Sequence, residues 1–553
     1  MDEFKAAIID FLKKEANIEN IELEVPPNPE MGDYAFPCFV LAKEWKKNPN
    51  DIAQELGKKF RPGSLISEIK VIGPYLNFFI NKSKIAEETI KKILKEKEKF
   101  GSSNAGKGKN ILVEHTSINP NASPHVGRAR NALIGDSIVR VLKFQGYKVE
   151  THYLVNDVGK QIAMLVLGSE GKKKVTFDDL LNIYIEIYKK LEQNPELDKK
   201  VLDLLNLLEK GDKKIRKRFE KIVKTCVNGQ LKILSELKVR YDVFDYESKY
   251  LWSKKTDETL KRLEKTGKLF VDGFNRWVLD QKGYELGMKV PVLVLTRADG
   301  TSLYPLRDIA YNIEKVSECD NIVVLGEDQK LYQEQINAAL KELELKQPRV
   351  VHYSFVLLQE GKMSTRKGNL VLLEEFMKEA VSKASAELKK RYGKADDKAA
   401  KIIAYGAVKY GILKVSPEKN VVFDWEQALS FEGETAPYIQ YAYARISSIL
   451  KKCKKINSGA DLKFLSQKEE IELIRLLSNF PEIVMKATGD LRPHLIATYA
   501  YSVAQKFNEY YHIHQILKAD EKTRNARLLL ISSVRQVIKN GLNLLGIDVL
   551  ERM

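Results

Sequence analysis

The chain has 553 residues, 44% hydrophobic and 30% charged, which excludes a disordered or fibrous protein and fits three or four soluble globular domains. No apolar run approaches the ~20 residues that cross a bilayer, so no membrane partner is expected. With 92 Lys and Arg against 75 Asp and Glu, the net charge is +17; that suits a polyanionic partner, and equally a lysine-rich solvated surface.

Residues 1–105 read as a small α+β domain. MDEFKAAIIDFLKKEA is an amphipathic helix of mixed charge without a signal peptide's layout. The four cysteines (Cys38, Cys226, Cys319, Cys453) lie far apart with no CxxC pair. Both features lead to an expected cytoplasmic location with reduced thiols and no metal site built from protein ligands alone. MGDYAFPCFVLAKEWKKNPNDIAQELGKKF reads as a turn, a helix, and a second helix after NPN, capped by Asn50 or Asp51. EIKVIGPYLNFFIN alternates like a strand broken at Gly73-Pro74, and a Lys/Gly/Ser-rich linker follows near residues 100–110.

Residues 106–370 read as a Rossmann-type domain. NILVEHTS, the helix RNALIGDSIVRVLKFQGY and KVETHYLVNDVG form a βαβ unit, which implies a parallel sheet. Residues 165–290 read as a charged helical insertion. Alternation of strand and helix then resumes with VPVLVLTRADG, YPLRDIAYNIEKV, NIVVLGEDQ and HYSFVLLQEGKMSTRKGN. A connecting segment is expected over 371–429 and an all-α bundle over 430–553. The expected fold is therefore multidomain α/β, with a small α+β domain before the catalytic sheet and a helical bundle after it.

The chemistry concentrates at two places. At the corner NASPHVGRARN, Gly127 leaves room for a nucleotide against the backbone, and the following helix N-terminus suits phosphate. His125 can donate to phosphate oxygens as charge develops there. KMSTRKGN brings Lys362, Arg366 and Lys367 to one Gly-containing loop, a cationic clamp for pyrophosphate leaving in an in-line attack on an α-phosphorus.

The pairing of HxG with KMSTRKGN resembles the HIGH and KMSKS signatures of class I aminoacyl-tRNA synthetases. Within that class the chain resembles the arginyl-tRNA synthetases, through GDYAFP, VEHTSINPN, YPLRDIAYNIEK, QYAYARISSIL and GLNLLGIDVLERM. The resemblance implies ATP with Mg²⁺, L-arginine and tRNA(Arg) as substrates and partners, and a monomer. It implies catalytic roles for His125, Arg128, Lys362 and Lys367, and ATP contacts that include Gly127, Met363, Ser364 and Arg366. It assigns the arginine pocket to Glu114, Ser117, Asn119, Tyr304, Asp308 and Gln329. A guanidinium offers five planar donors and stays charged, so it calls for carboxylates; Tyr304 and Asp308 are spaced i,i+4 on one helix face.

For tRNA, the resemblance points to Tyr75 and Asn77 near the N-terminus and to Tyr438, Tyr441, Arg445, Phe507, Tyr511 and Met553 in the bundle. There, aromatics and cations at helical spacing provide stacking surfaces for splayed bases. The chain departs from the family pattern at three positions: Ala122 replaces a Lys, Arg128 replaces the second His of HIGH, and Thr365 replaces the second Lys of KMSKS. These departures leave a second reading open, a tRNA-binding paralogue with weakened chemistry. The pocket residues Asn119, Tyr304 and Asp308 beside the cationic loop favour the enzyme over that paralogue; the length and the C-terminal bundle count against a small-molecule nucleotidyltransferase, and the Tyr/Asp pair against a synthetase of the class for an aliphatic or Cys substrate.

Overall fold

The computed structural model describes residues 3–26, 28–358, 371–453 and 456–553. The first helix, Glu3–Ala16, buries Phe4, Ile8, Leu12 and Ala16 at strict four-residue spacing. It belongs to an α+β unit whose antiparallel sheet runs in the order Tyr34–Pro37, Tyr75–Ile80, Ile66–Ile72. Tyr34–Pro37, read from sequence as part of a turn, is a strand. All four of its residues are buried, so no alternation announced it. The cap of helix Pro49–Lys59 is Asn48, whose side chain accepts from the Asn50 amide at 2.9 Å, rather than Asn50 or Asp51. Pro49 at the first helical position needs no amide partner there.

The catalytic sheet has five parallel strands in the order Arg349–Tyr353, Asp320–Gly326, Asn110–Glu114, Lys148–Val155, Val243–Tyr246. The chain lays its first strand in the middle, extends to one edge, then returns to build the other side. Order therefore reverses between Asn110–Glu114 and Asp320–Gly326, and the crevice at the carboxyl ends of these strands is where such sheets bind ligands. The corner helix, Val126–Phe144, is buried along nearly its whole length.

Helices Phe177–Gln193, Pro195–Glu209 and Lys213–Glu236 stand where the insertion was expected. That interval nevertheless contains Val243–Tyr246, an edge strand of the main sheet. After it comes a separate antiparallel sheet of Leu269–Val271, Trp277–Asp280 and Val292–Val294. VPVLVL thus does not continue the parallel sheet. Short apolar runs look alike in either kind of sheet, and distant partners decide which forms.

Helices Leu373–Tyr392 and Asp397–Leu413 lead to a bundle made by Ala436–Lys451, Lys468–Ser478, Phe480–Asp490, His494–Ile513 and Glu521–Leu544. The chain end returns to the catalytic domain. Ser137 Oγ on the corner helix donates to the Leu544 carbonyl at 2.9 Å, buried Lys409 donates to the Gly546 carbonyl, and Gln440 donates to the Asp548 carbonyl at 2.8 Å. Gly546 sits at φ 67°, and a Cβ there would meet Asp136 Oδ2 at 3.1 Å. Among the described residues, no helix is long and apolar enough to cross a membrane.

Candidate active site

Strand Asn110–Glu114 runs into two left-handed residues, Thr116 at φ 75° and Ser117 at φ 42°. For a buried β-branched Thr this costs on the order of 1–3 kcal/mol and persists only when the surroundings impose it. They do. Asn131 Oδ1 accepts from the Thr116 amide at 2.6 Å, Tyr241 donates to Thr116 Oγ1 at 2.6 Å, and Ser117 Oγ accepts from the Leu154 amide at 3.2 Å. Ser117 therefore anchors the neighbouring strand, while the Asn119 side chain is exposed, 3.4 Å from Gln161 Oε1.

The corner helix starts at His125, whose ring lies against Gly127: a Cβ on Gly127 would come within 3.0 Å of it. Burial, then the nearby Arg128 guanidinium, push the imidazole down to about 4. The ring is neutral at pH 7, and its Nδ1 is buried without a partner among the described residues. Arg128 is half-buried, and among the described residues its side chain makes no hydrogen bond or ion pair. Lys362, Met363, Ser364, Thr365, Arg366 and Lys367 lie outside the described residues. The strand preceding them, Val356–Leu358, is fastened to the corner helix by Arg130. This fully buried side chain donates to the carbonyls of Ser354 (2.7 Å), Ser416 (2.9 Å) and Phe355 (3.3 Å).

The opposite wall is helix Tyr304–Glu318. Tyr304 is 55% exposed, and its ring lies 5.3 Å from that of Tyr332, which donates to Asp308. Two turns on, Lys315 forms a buried ion pair with Glu114, and the Tyr311 hydroxyl sits 2.9 Å from Glu114 Oε2 and 2.8 Å from Asp245 Oδ2. Asp245 stays below the usual carboxylate range against the effect of burial, through His152 and Tyr311. Arg307 is taken by Glu247 at 2.7 Å and by the Ser302 carbonyl. Glu114 thus already has a cation, and among the described residues Asp308 has none bonded to it. Burial, then repulsion from Glu247, push the Asp308 carboxyl up to about 7, with Glu114 adding to the rise. Gln329 closes a short turn after strand Asp320–Gly326 and is exposed.

Tyr311, Lys315, Glu247, Tyr332 and Arg130 were not foreseen. The signal for two of them was present, since Tyr304, Asp308, Tyr311 and Lys315 extend one stripe at i, i+4, i+7 and i+11.

The residues expected to touch tRNA divide. Asn77 is 2% exposed and donates to the Lys70 carbonyl at 3.4 Å, so it is a sheet residue, while half-buried Tyr75 packs edge-on against exposed Phe39. In the bundle, the Arg445 guanidinium lies 4.6 Å from the Tyr441 ring centre and 5.1 Å from that of Tyr511. Tyr438, Tyr441 and Arg445 line an open groove together with Arg391, Phe431 and Asn508. Phe507 is a correction: it is fully buried in the bundle core and offers no face to a base. Met553 is half-buried against the same core.

A five-stranded parallel sheet with a His-x-Gly corner at its reversal point, joined to a helical bundle, is the build of a class I aminoacyl-tRNA synthetase. The model of class I (R) tRNA synthetase catalytic domains matches residues 89–425, the DALR anticodon binding domain matches 439–553, and the arginyl tRNA synthetase N terminal domain matches 1–80. The chain belongs to the arginyl-tRNA synthetase family. It is 40% identical to the arginine–tRNA ligase of Methanocaldococcus jannaschii over 100% of both chains. It is 37% identical to that of Pyrococcus furiosus over 97% of this chain and 96% of the relative. The solved Thermus thermophilus arginyl-tRNA synthetase superposes with a TM-score of 0.82 at 27% identity, covering 100% of this chain and 99% of that one.

Proposed function

We infer that the chain ligates L-arginine to the 3′ end of tRNA(Arg) through an arginyl-adenylate. The observation that carries the substrate choice is Asp308, a half-buried carboxylate that has no bonded cation among the described residues. Arginine's guanidinium supplies that cation, with Tyr304 and Tyr332 bounding the pocket and Gln329 and Asn119 at its polar edges. Glu114, already balanced by Lys315, sets the field behind Asp308.

With the guanidinium seated, the arginine carboxylate oxygen attacks the α-phosphorus of ATP, the bond to the bridging oxygen breaks, and pyrophosphate leaves. Neutral His125 donates a hydrogen bond to the phosphate oxygens, and Arg128 adds a fixed positive charge. Lys362, Arg366 and Lys367 take up the charge of the departing pyrophosphate, with Met363 and Ser364 placing the loop on the nucleotide. The terminal ribose hydroxyl of tRNA then attacks the adenylate carbonyl and AMP leaves. Mg²⁺ enters on the ATP phosphates; among the described residues, no group of three or more His, Cys, Asp or Glu could hold a metal ion. Tyr75 and the Tyr438, Tyr441, Arg445 and Tyr511 surface hold the tRNA, with Met553 beside the bundle face. The protein acts as a cytoplasmic monomer.

Full-length likeness to arginine–tRNA ligases disfavours the tRNA-binding paralogue. Charging total tRNA with each of several labelled amino acids tests the reading. Label is expected with arginine alone, and a different amino acid, or none, overturns it.

A further inference from the structure

The insertion helix Lys213–Glu236 carries eight cations and two acids. Its two faces do different things. On the inner face, Gln230 is fully buried, and its Nε2 donates to the carbonyls of Asn119 (3.0 Å) and Ala122 (2.9 Å); Cys226 Sγ also points to the Ala122 carbonyl at 3.7 Å. This helix therefore grips the backbone of the loop that opens the nucleotide corner. On the outer face, Lys214, Lys217, Lys221 and Lys224 are all exposed and follow the i, i+3, i+7, i+10 stripe of one helix side, continued by Lys232. Among the described residues, none of those four ammonium groups has an ion pair or hydrogen bond. The helix's two arginines are engaged instead: Arg218 binds Glu170 at 2.6 Å, and Arg216 stacks 3.7 Å over the Trp252 ring.

We propose that the Lys214, Lys217, Lys221 and Lys224 stripe is a docking surface for a base-paired arm of the tRNA substrate. Its charge and its regular spacing both complement a phosphate backbone. Neighbouring Cβ atoms along the stripe lie about 5–6 Å apart on the helix, so their side chains present a row of point charges that suits consecutive phosphates and reads no base. The stripe presents no aromatic side chain, so it fits a paired arm rather than splayed bases, which need stacking surfaces. Because the opposite face holds the Asn119 and Ala122 carbonyls, an arm seated on the lysines bears directly on the corner loop. The proposal rests on the synthetase reading.

The test replaces all four lysines by Gln in the full chain and measures tRNA dissociation constants at several salt concentrations, with steady-state charging. All four side chains are exposed, and circular dichroism checks the fold. The expected result is a tRNA Kd and KM raised ten- to a hundred-fold at moderate salt. The slope of log K against log salt should be shallower by about three to four, since each phosphate contact contributes about 0.9. A control with Lys189, Lys190, Lys199 and Lys200 replaced by Gln should keep the parent slope. An unchanged slope in the stripe variant, or an equal loss in the control, overturns the proposal. A parent protein that charges no tRNA with arginine would overturn the synthetase reading instead, and the slope comparison would still stand.

Discussion

Arginine binding should depend on pH through Asp308. In the free protein its carboxyl sits at about 7, pushed up by burial and by Glu247. The ligand's guanidinium binds the ionised form, so binding below pH 7 must first remove a proton. The sign follows directly: affinity is full above pH 7 and falls as pH drops through it. With a free-state value of about 7 and a much lower one in the complex, KM for arginine should rise roughly tenfold from pH 8 to pH 6, about 1.4 kcal/mol. Asp308→Asn should lose this slope and weaken arginine on the order of 10²–10³-fold while sparing ATP, because a desolvated guanidinium left without its partner costs ~3–5 kcal/mol. Asp157, raised to about 6 by burial, titrates nearby; the difference between parent and variant profiles isolates Asp308. Steady-state charging across pH 6–8 at saturating ATP and tRNA is the assay. A parent KM that is flat with pH, or an Asn variant with unchanged KM and kcat, would refute the pocket.

At the corner, His125→Ala should be severe, Arg128→Ala should cost activity, and Arg128→His should retain or raise it; silent Arg128 variants in a charging assay would place that side chain outside the phosphate field. Lys362→Ala or Lys367→Ala should lower kcat with little change in the ATP KM, as expected for groups acting in the transition state; a pure KM effect in steady-state kinetics would contradict the clamp. Lys315→Met leaves Glu114 buried without its cation and should cost about 3–5 kcal/mol of stability, read as a lower urea midpoint; an unmoved midpoint would show the pair to be dispensable. From the family resemblance, ATP–pyrophosphate exchange with arginine should require tRNA, and fast exchange without it would count against that expectation.

Periodicity made the helices legible, and the HxG segment located the corner, while KMSTRKGN lies outside the described residues. The i,i+4 rule linked Tyr304 to Asp308. What sequence left hidden was set by residues far along the chain. Glu114 looked like a free carboxylate because its partner Lys315 is about two hundred positions away. Arg130 drew no role from the sequence because the carbonyls it holds come from residues 354, 355 and 416. Phe507 read as a stacking surface because helical spacing shows that two aromatics share a face, not whether that face is turned inward. Val292–Val294 was assigned to the wrong sheet for the same reason: strand pairing is a long-range property.

The return of the chain end to the corner helix has a consequence for biosynthesis. A ribosome delivers residues in order, at about 5–20 per second, and N-terminal units fold as they emerge. Here the helix that begins at His125 is completed by partners near the opposite terminus, with Ser137 waiting for the Leu544 carbonyl and Lys409 for that of Gly546. Until those last residues leave the exit tunnel, Lys409 on helix Asp397–Leu413 lacks the Gly546 carbonyl to which it donates in the finished fold. The nascent chain therefore carries an unfinished catalytic domain through almost the whole of translation. A stop codon that removes only the final ten residues should deplete soluble enzyme in cells far more than a comparable deletion at the N-terminus.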